Sequence, residues 1–112
     1  MNVEHITKRA DFLRAARGRK AARPSLVLQM WDRGDNEPCR VGFTASKKVG
    51  NAVQRNRAKR RLRAAVGKVF ADHAQPGRDY VLIARKNTPN EEFSQIIQDL
   101  MSSIAAVERR KK

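Results

Sequence analysis

Apolar positions change their period along the chain, and each change marks an element. After Pro24, Leu26, Leu28 and Met30 alternate with Val27, Gln29 and Trp31, the period of a strand. The polar stretch RGDNEP follows, punctuated by Gly34 and Pro38, and Arg40 to Ser46 reads as a second strand. The two are expected to pair as an antiparallel hairpin with an irregular loop. From Ala58 the period becomes helical: with Leu62 as zero, Val66, Val69, Ala58 and Ala65 fall within roughly 60° on a 100°-per-residue wheel. Asn51, after Gly50, is placed to cap this helix, which should start near Ala52. Beyond the break at Gln75 to Gly77, Tyr80 to Ala84 form a nearly continuous apolar run, the pattern of a strand at the centre of a sheet. Asn90, ahead of Glu91 and Glu92, is expected to cap a last helix whose core side is Phe93, Ile96, Ile97, Leu100, Met101 and Ile104. Near the start, Thr7 is expected to cap a short helix through Arg17, with Phe12, Leu13 and Ala16 on its apolar side and Gly18 as its stop.

These elements run helix, strand, strand, helix, strand, helix. They predict an α+β domain, a two-layer α-β sandwich in which helices cover a small sheet, without internal repeat or linker. At 112 residues the chain has room for one modest core, so residues 1–112 form a single domain, with 1–7 and 108–112 expected to be flexible. If the strands flanking the central helix are parallel neighbours, the general rule makes their crossover right-handed.

Charge changes this picture. The formal net charge is +14. Between Glu37 and Asp72 there is no acidic residue, while Arg40, Lys47, Lys48, Arg55, Arg57, Lys59, Arg60, Arg61, Arg63 and Lys68 lie in that gap. A solvated or disordered basic segment needs no apolar stripe, whereas this one carries a core face opposite a cationic arc. A phosphate-rich partner resolves the self-repulsion. Arg55 projects towards the apolar side one turn before the stripe begins. Seven further basic residues between Lys8 and Arg23 make a second patch.

Several classes are disfavoured. No apolar run approaches the roughly 18 residues of a membrane span, and MNVEHITKRADF has no signal-peptide core, so a cytoplasmic location without a membrane partner is expected. Cys39 is the single cysteine, which leaves no intramolecular disulfide or multi-cysteine zinc module. The acidic residues are scattered, with Glu91, Glu92 and Asp99 assigned to helix capping and surface charge, and His5 and His73 are isolated; no catalytic or metal constellation stands out. RGD reads as a turn. Aromatics are 5% of residues, too few for a broad stacking platform. Arginine-rich helices bind RNA and DNA alike, and no helix-turn-helix, zinc finger or dimerisation heptad decides between them. Phe12 is left between a core and a stacking role.

The string SKKVGNAVQRNRAKRRLR resembles the signature of the bacterial ribonuclease P protein family: a Ser-Lys-Lys segment ending a strand, a Gly-Asn-Ala-Val link and an Arg-Asn-Arg helix. The early pair Asp11 and Phe12, the DYVLIAR strand and the last helix occur in family order, so the likeness covers nearly the whole chain. It implies a subunit that does not itself cleave. The catalytic component would be an RNA using Mg2+ held mainly by that RNA and the substrate, and the reaction would be removal of the 5′ leader of precursor tRNA. The partners implied are the catalytic RNA and the leader, with no obligate protein partner. The fold implied has a left-handed βαβ crossover, against the general rule. Carried over by position, Lys47, Lys48, Asn51, Arg55, Asn56, Arg57, Lys59, Arg60 and Arg63 would face the catalytic RNA, arginines as bidentate clamps, lysines as point charges and asparagines as orienting or capping groups. Phe12, Arg14, Arg17, Val27 and Gln29 would line a leader cleft between the first helix and the sheet, with Ala16 and Gln29 standing where some relatives carry aromatics. The rival class is a ribosome-associated or other structured-RNA-binding protein, and a protein-only ribonuclease is a more distant alternative.

Overall fold

A computed structural model describes residues 3–109. The elements are β1 (Glu4–His5), α1 (Arg9–Ala16), β2 (Arg19–Ala22), β3 (Leu26–Asp32), β4 (Arg40–Thr44), α2 (Ala52–His73), β5 (Arg78–Ala84) and α3 (Phe93–Glu108), with short 3-10 turns at Lys47–Val49 and Thr88–Asn90. The α-β-β-α-β-α order holds, with two short strands added. The sheet runs β1-β4-β5-β3-β2. β5 is parallel to β4 and antiparallel to β3, so β4, α2 and β5 form a βαβ unit.

The expected β3–β4 hairpin does not form, because β5 lies between the two strands. β5 is the most continuously apolar strand and takes the position covered on both sides, with Tyr80, Val81, Leu82 and Ala84 all buried. The 33–39 connection docks against the start of β5 instead of turning tightly. Arg33 N–H donates to the Gly77 carbonyl and Gly77 N–H to that of Glu37, both at 2.8 Å.

Strand alternation divides the sheet into two faces. Leu26, Leu28, Met30, Val41, Tyr80 and Leu82 pack under α2 and α3 with Ala58, Leu62, Ala65, Val66, Val69, Ile96, Leu100 and Ile104, so both helical stripes meet the core as expected. Phe70 joins them, its ring edge-on to Tyr80 at 5.1 Å. The reverse face carries a smaller cluster in which Ile6, Ala15 and Val81 are joined by Phe12, Trp31 and Ile83. α1 therefore covers the opposite side of the sheet from α2 and α3.

Local expectations differ from the structure at helix ends and at Asp99. Lys8, not Thr7, occupies the α1 N-cap without a side-chain bond, and the helix buries Asp11 and Ala15, leaving Leu13 exposed. The α1 stripe is shifted because Asp11 finds cationic partners inside. Glu92, not Asn90, precedes α3, since Asn90 is already used in the 3-10 turn. Asp99 is not a surface charge: it is buried and accepts from the Ser25 N–H (3.0 Å) and hydroxyl (2.7 Å), tying α3 to the start of β3. Within 3–7, β1 pairs with β4 and Ile6 is buried. Glu108 likewise closes α3 by accepting from Arg78 (3.0 Å) and the Tyr80 hydroxyl (3.1 Å). The remaining flexible positions expected, 1–2 and 110–112, lie outside the described residues.

Candidate nucleic-acid interface

α2 begins at a well-made corner. The Ser46 hydroxyl accepts from Lys48 N–H at 3.3 Å, opening the turn that presents the exposed Lys47 and Lys48. The Asn51 side-chain oxygen Oδ1 accepts from Gln54 N–H at 3.0 Å, which is the expected cap. Arg55 departs from the arc for a local reason: its guanidinium donates to the Gly50 carbonyl at 2.9 Å and braces the same corner. Asn51 and Arg55 thus shape the entrance to the helix.

The cations that follow divide into three groups. Arg57 Nε donates to the Pro89 carbonyl at 2.6 Å, and Arg61 donates to the Glu91 carbonyl, so these two clamp α2 to the turn before α3. Lys59 and Arg63 project the other way, towards β4, where the Arg63 guanidinium stacks 5.2 Å from the centre of the Phe43 ring. Asn56 and Arg60 lie on the exposed crest between them. Among the described residues no ion pair involves any cation from Lys47 to Lys68. The arc is therefore a field of positive charge without carboxylates to quench it.

Arg14, Arg33 and Arg40, by contrast, are paired with buried carboxylates. Asp79 is fully buried and accepts from Arg33 Nη1 (2.6 Å), Arg40 Nε (2.8 Å) and Arg40 Nη2 (2.6 Å). Arg40 also reaches Asp11 at 3.3 Å, and Asp11 pairs with Arg14 one turn on, so this network ties α1 to the sheet. The Arg14 hydrogen bond, with the charge of Arg40, holds the Asp11 carboxyl below its usual range despite the opposing effect of burial. Arg14, expected at the leader, is thus occupied within the protein.

Beside α1 the sheet presents three rows. Thr44, Ile83, Val27 and Ala22 form one, Gly42, Val81, Gln29 and Lys20 the next, and Arg40, Asp79 and Trp31 the third. Phe12 sits over the middle row: a Cβ on Gly42 would lie 2.5 Å from its ring, so glycine is needed for the helix to approach. The ring is half-buried, which gives Phe12 a packing role while leaving part of its face open. Val27 and Gln29 are half-buried on the same face, and Arg17 is exposed at the end of α1. Lys20, Thr44 and Ile83 belong to this surface and were not anticipated; strand parity holds the signal, but only the register reveals it. The two groups of predicted residues lie on opposite faces and meet at the β4 edge, in a cleft of about 180 Å³ where Phe12 and Gly42 face Lys59 and Arg63.

Among the described residues no three His, Cys, Asp or Glu side chains gather, and the buried Asp79 and Asp11 are paired with arginine. Burial pushes the Cys39 thiol up, away from the reactive thiolate.

The family model for Ribonuclease P matches residues 1–108. The chain belongs to the ribonuclease P protein family. The ribonuclease P protein component of Paramagnetospirillum magneticum is 50% identical over 110 residues, covering 94% of this chain and 83% of that protein. That of Caulobacter vibrioides is 44% identical over 108 residues, covering 96% and 72%. The solved Staphylococcus aureus RNase P protein is 34% identical with a TM-score of 0.75, covering 92% of this chain and 95% of that one. The RNase P protein of Thermotoga maritima, at 24% identity and a TM-score of 0.74 over 97% and 99% of the chains, shares the fold. As a ribonuclease P protein component the chain takes part in tRNA processing within a ribonucleoprotein, and no finding favours the ribosome-associated alternative. No helix among the described residues is long and apolar enough to cross a membrane.

Proposed function

We propose that this chain assists an RNA catalyst by holding it on one face and the 5′ leader of precursor tRNA on the other. The observation that carries the reading is the contrast in charge: the buried carboxylates are taken up by arginine or by hydroxyl and amide donors, while the α2 arc keeps its cations for phosphate. Lys47, Lys48, Asn56, Arg60 and Arg63 contact the catalytic RNA directly. Arg57 reaches it through its Nη groups while Nε stays on Pro89, and Lys59 lies where the two faces meet. Asn51 and Arg55 position the corner.

The leader lies along the rows beside α1, over Val27 and Gln29, with Phe12 and Arg17 at its side and Lys20 added as a phosphate contact. With so little exposed aromatic surface, contacts there are mainly to the backbone, which suits leaders of varied sequence. Mg2+ belongs to the catalytic RNA and its substrate, where it supplies the Lewis acid for phosphodiester cleavage. The chain's part is to lower the repulsion between two polyanions, in the cytoplasm and without an obligate protein partner.

The test is precursor-tRNA cleavage at low magnesium with protein alone, RNA alone and both. Strong stimulation of the RNA with no cleavage by the protein supports the reading, and cleavage by the protein alone contradicts it. Phe12→Ala, checked for folding, should weaken leader binding more than binding of the catalytic RNA. The reverse order would remove the leader from this face.

A further inference from the structure

Arg63 differs from the other cations of the arc, because its guanidinium is engaged in a stack and the stack forms one wall of an open groove. This groove, of about 270 Å³, runs between the β1–β4 edge and the middle of α2, and its walls include Val3, His5, Phe43, Arg63, Gly67 and Phe70. It combines a cation held on an aromatic ring, an apolar floor and an unfilled strand edge. β1 stops pairing at His5 and Val41, and the last bond runs from Ile6 N–H to the Val41 carbonyl at 2.9 Å. Because main-chain groups alternate sides along a strand, those of Phe43 point to the same edge as those of Val41. No strand among the described residues covers them there. A donor and an acceptor are therefore offered at the mouth of an apolar slot.

Gly67 adds a second feature. It stands inside α2, where glycine is the least favourable residue after proline, and a Cβ there would meet nothing within 4 Å. Neither packing nor backbone conformation within the protein asks for glycine, but its absent side chain widens the groove one turn along α2 from Arg63, on the same wall. A ligand that comes close to the helix backbone would use that space.

We infer that this groove receives an unpaired nucleobase of the partner RNA, stacked against the Arg63–Phe43 pair, passing close to Gly67 and hydrogen-bonded at its edge to the Phe43 main chain. This deepens the proposed function and rests on it. A flat, polar-edged ring fits a slot with an apolar floor and a main-chain rim, and the surrounding cations draw in the phosphates that carry it. A phosphate alone would not use the apolar floor.

The test compares full-length wild type, Gly67→Leu, Arg63→Lys and, outside the groove, Lys68→Ala, each bound to the cognate catalytic RNA over a range of salt. Filling the groove with leucine should cut affinity by roughly tenfold while leaving the log–log salt slope unchanged, because stacking releases no counterions. Arg63→Lys keeps the charge and loses the planar stack, so it should show the same signature. Lys68→Ala should reduce the slope instead. Thermal melting guards against misfolding, and leucine in an open helical position should not lower the melting temperature. Base-specific methylation should show an unpaired position that wild type protects and Gly67→Leu exposes. Unchanged affinity and protection in folded Gly67→Leu would overturn the inference, as would wild-type self-association abolished by leucine with base protection intact. Failure of wild type to bind the RNA at all would overturn the proposed function as well.

Discussion

Two sets of basic side chains in this molecule have opposite fates. Arg33 and Arg40 converge on the buried Asp79, and Arg40 continues to Asp11 on α1; their charges are neutralised inside the protein and their geometry is fixed by short bonds. Lys47, Lys48, Lys59, Arg60, Arg63 and Lys68 have no carboxylate among the described residues, and the three α2 arginines that do bond within the protein, Arg55, Arg57 and Arg61, donate only to backbone carbonyls. The first set stabilises a fold, and the second leaves charge for a partner. Arginines occur in both. What separates them is whether a carboxylate shares the site.

The largest effect should come from breaking the first set. Asp79→Asn removes the fully buried charge on which two guanidinium groups converge, leaving Arg40 only Asp11 and Arg33 only Asp35, and denaturant unfolding should show a loss of about 3–5 kcal/mol. A change below about 1 kcal/mol would mean that the network is dispensable. Arg57→Ala blurs the line between the sets: losing the bond to Pro89 should cost about 1 kcal/mol of stability, and RNA affinity should also fall. Weaker RNA binding with undiminished stability would place Arg57 wholly in the second set.

Acid should expose the first set through Asp11, whose folded-state carboxyl lies below the ordinary 3.8. The unfolded chain then takes up the proton first, so the contribution of Asp11 is complete above about pH 4 and is lost as pH falls through the lower folded value. The difference in urea midpoint between wild type and Asp11→Asn should shrink from pH 6 to pH 3. A difference that grew on acidification would reverse the sign of this linkage.

Much of this was legible in advance where one residue type has one common use. The α2 stripe, the Asn51 cap and the central β5 follow from periodicity and local chemistry, and the family from a long contiguous string. Pairing was not legible. The β3–β4 hairpin is the economical reading of two strands joined by a short polar loop, and it fails because a more apolar strand arriving later in the chain takes the place between them. Asp99 reads as a surface charge, and the burial of Asp11 goes unseen, because their partners Ser25 and Arg40 are distant in sequence. The surface beside α1 was only half visible for the same reason: Lys20 and Ile83 join Gln29 and Val27 through register, which no local pattern records.

Arg60 gives the most direct test, being exposed on the α2 crest with no partner among the described residues. Its replacement by alanine should leave unfolding stability within about 0.5 kcal/mol, since an exposed side chain without internal partners is removed. Measured against the cognate catalytic RNA across a salt series, Arg60→Ala should bind more weakly and lower the log–log slope by up to about one unit, the change expected when a single phosphate is no longer neutralised. An unchanged slope and affinity in the folded variant would contradict the claim that the unquenched arc of α2 is the RNA-binding face.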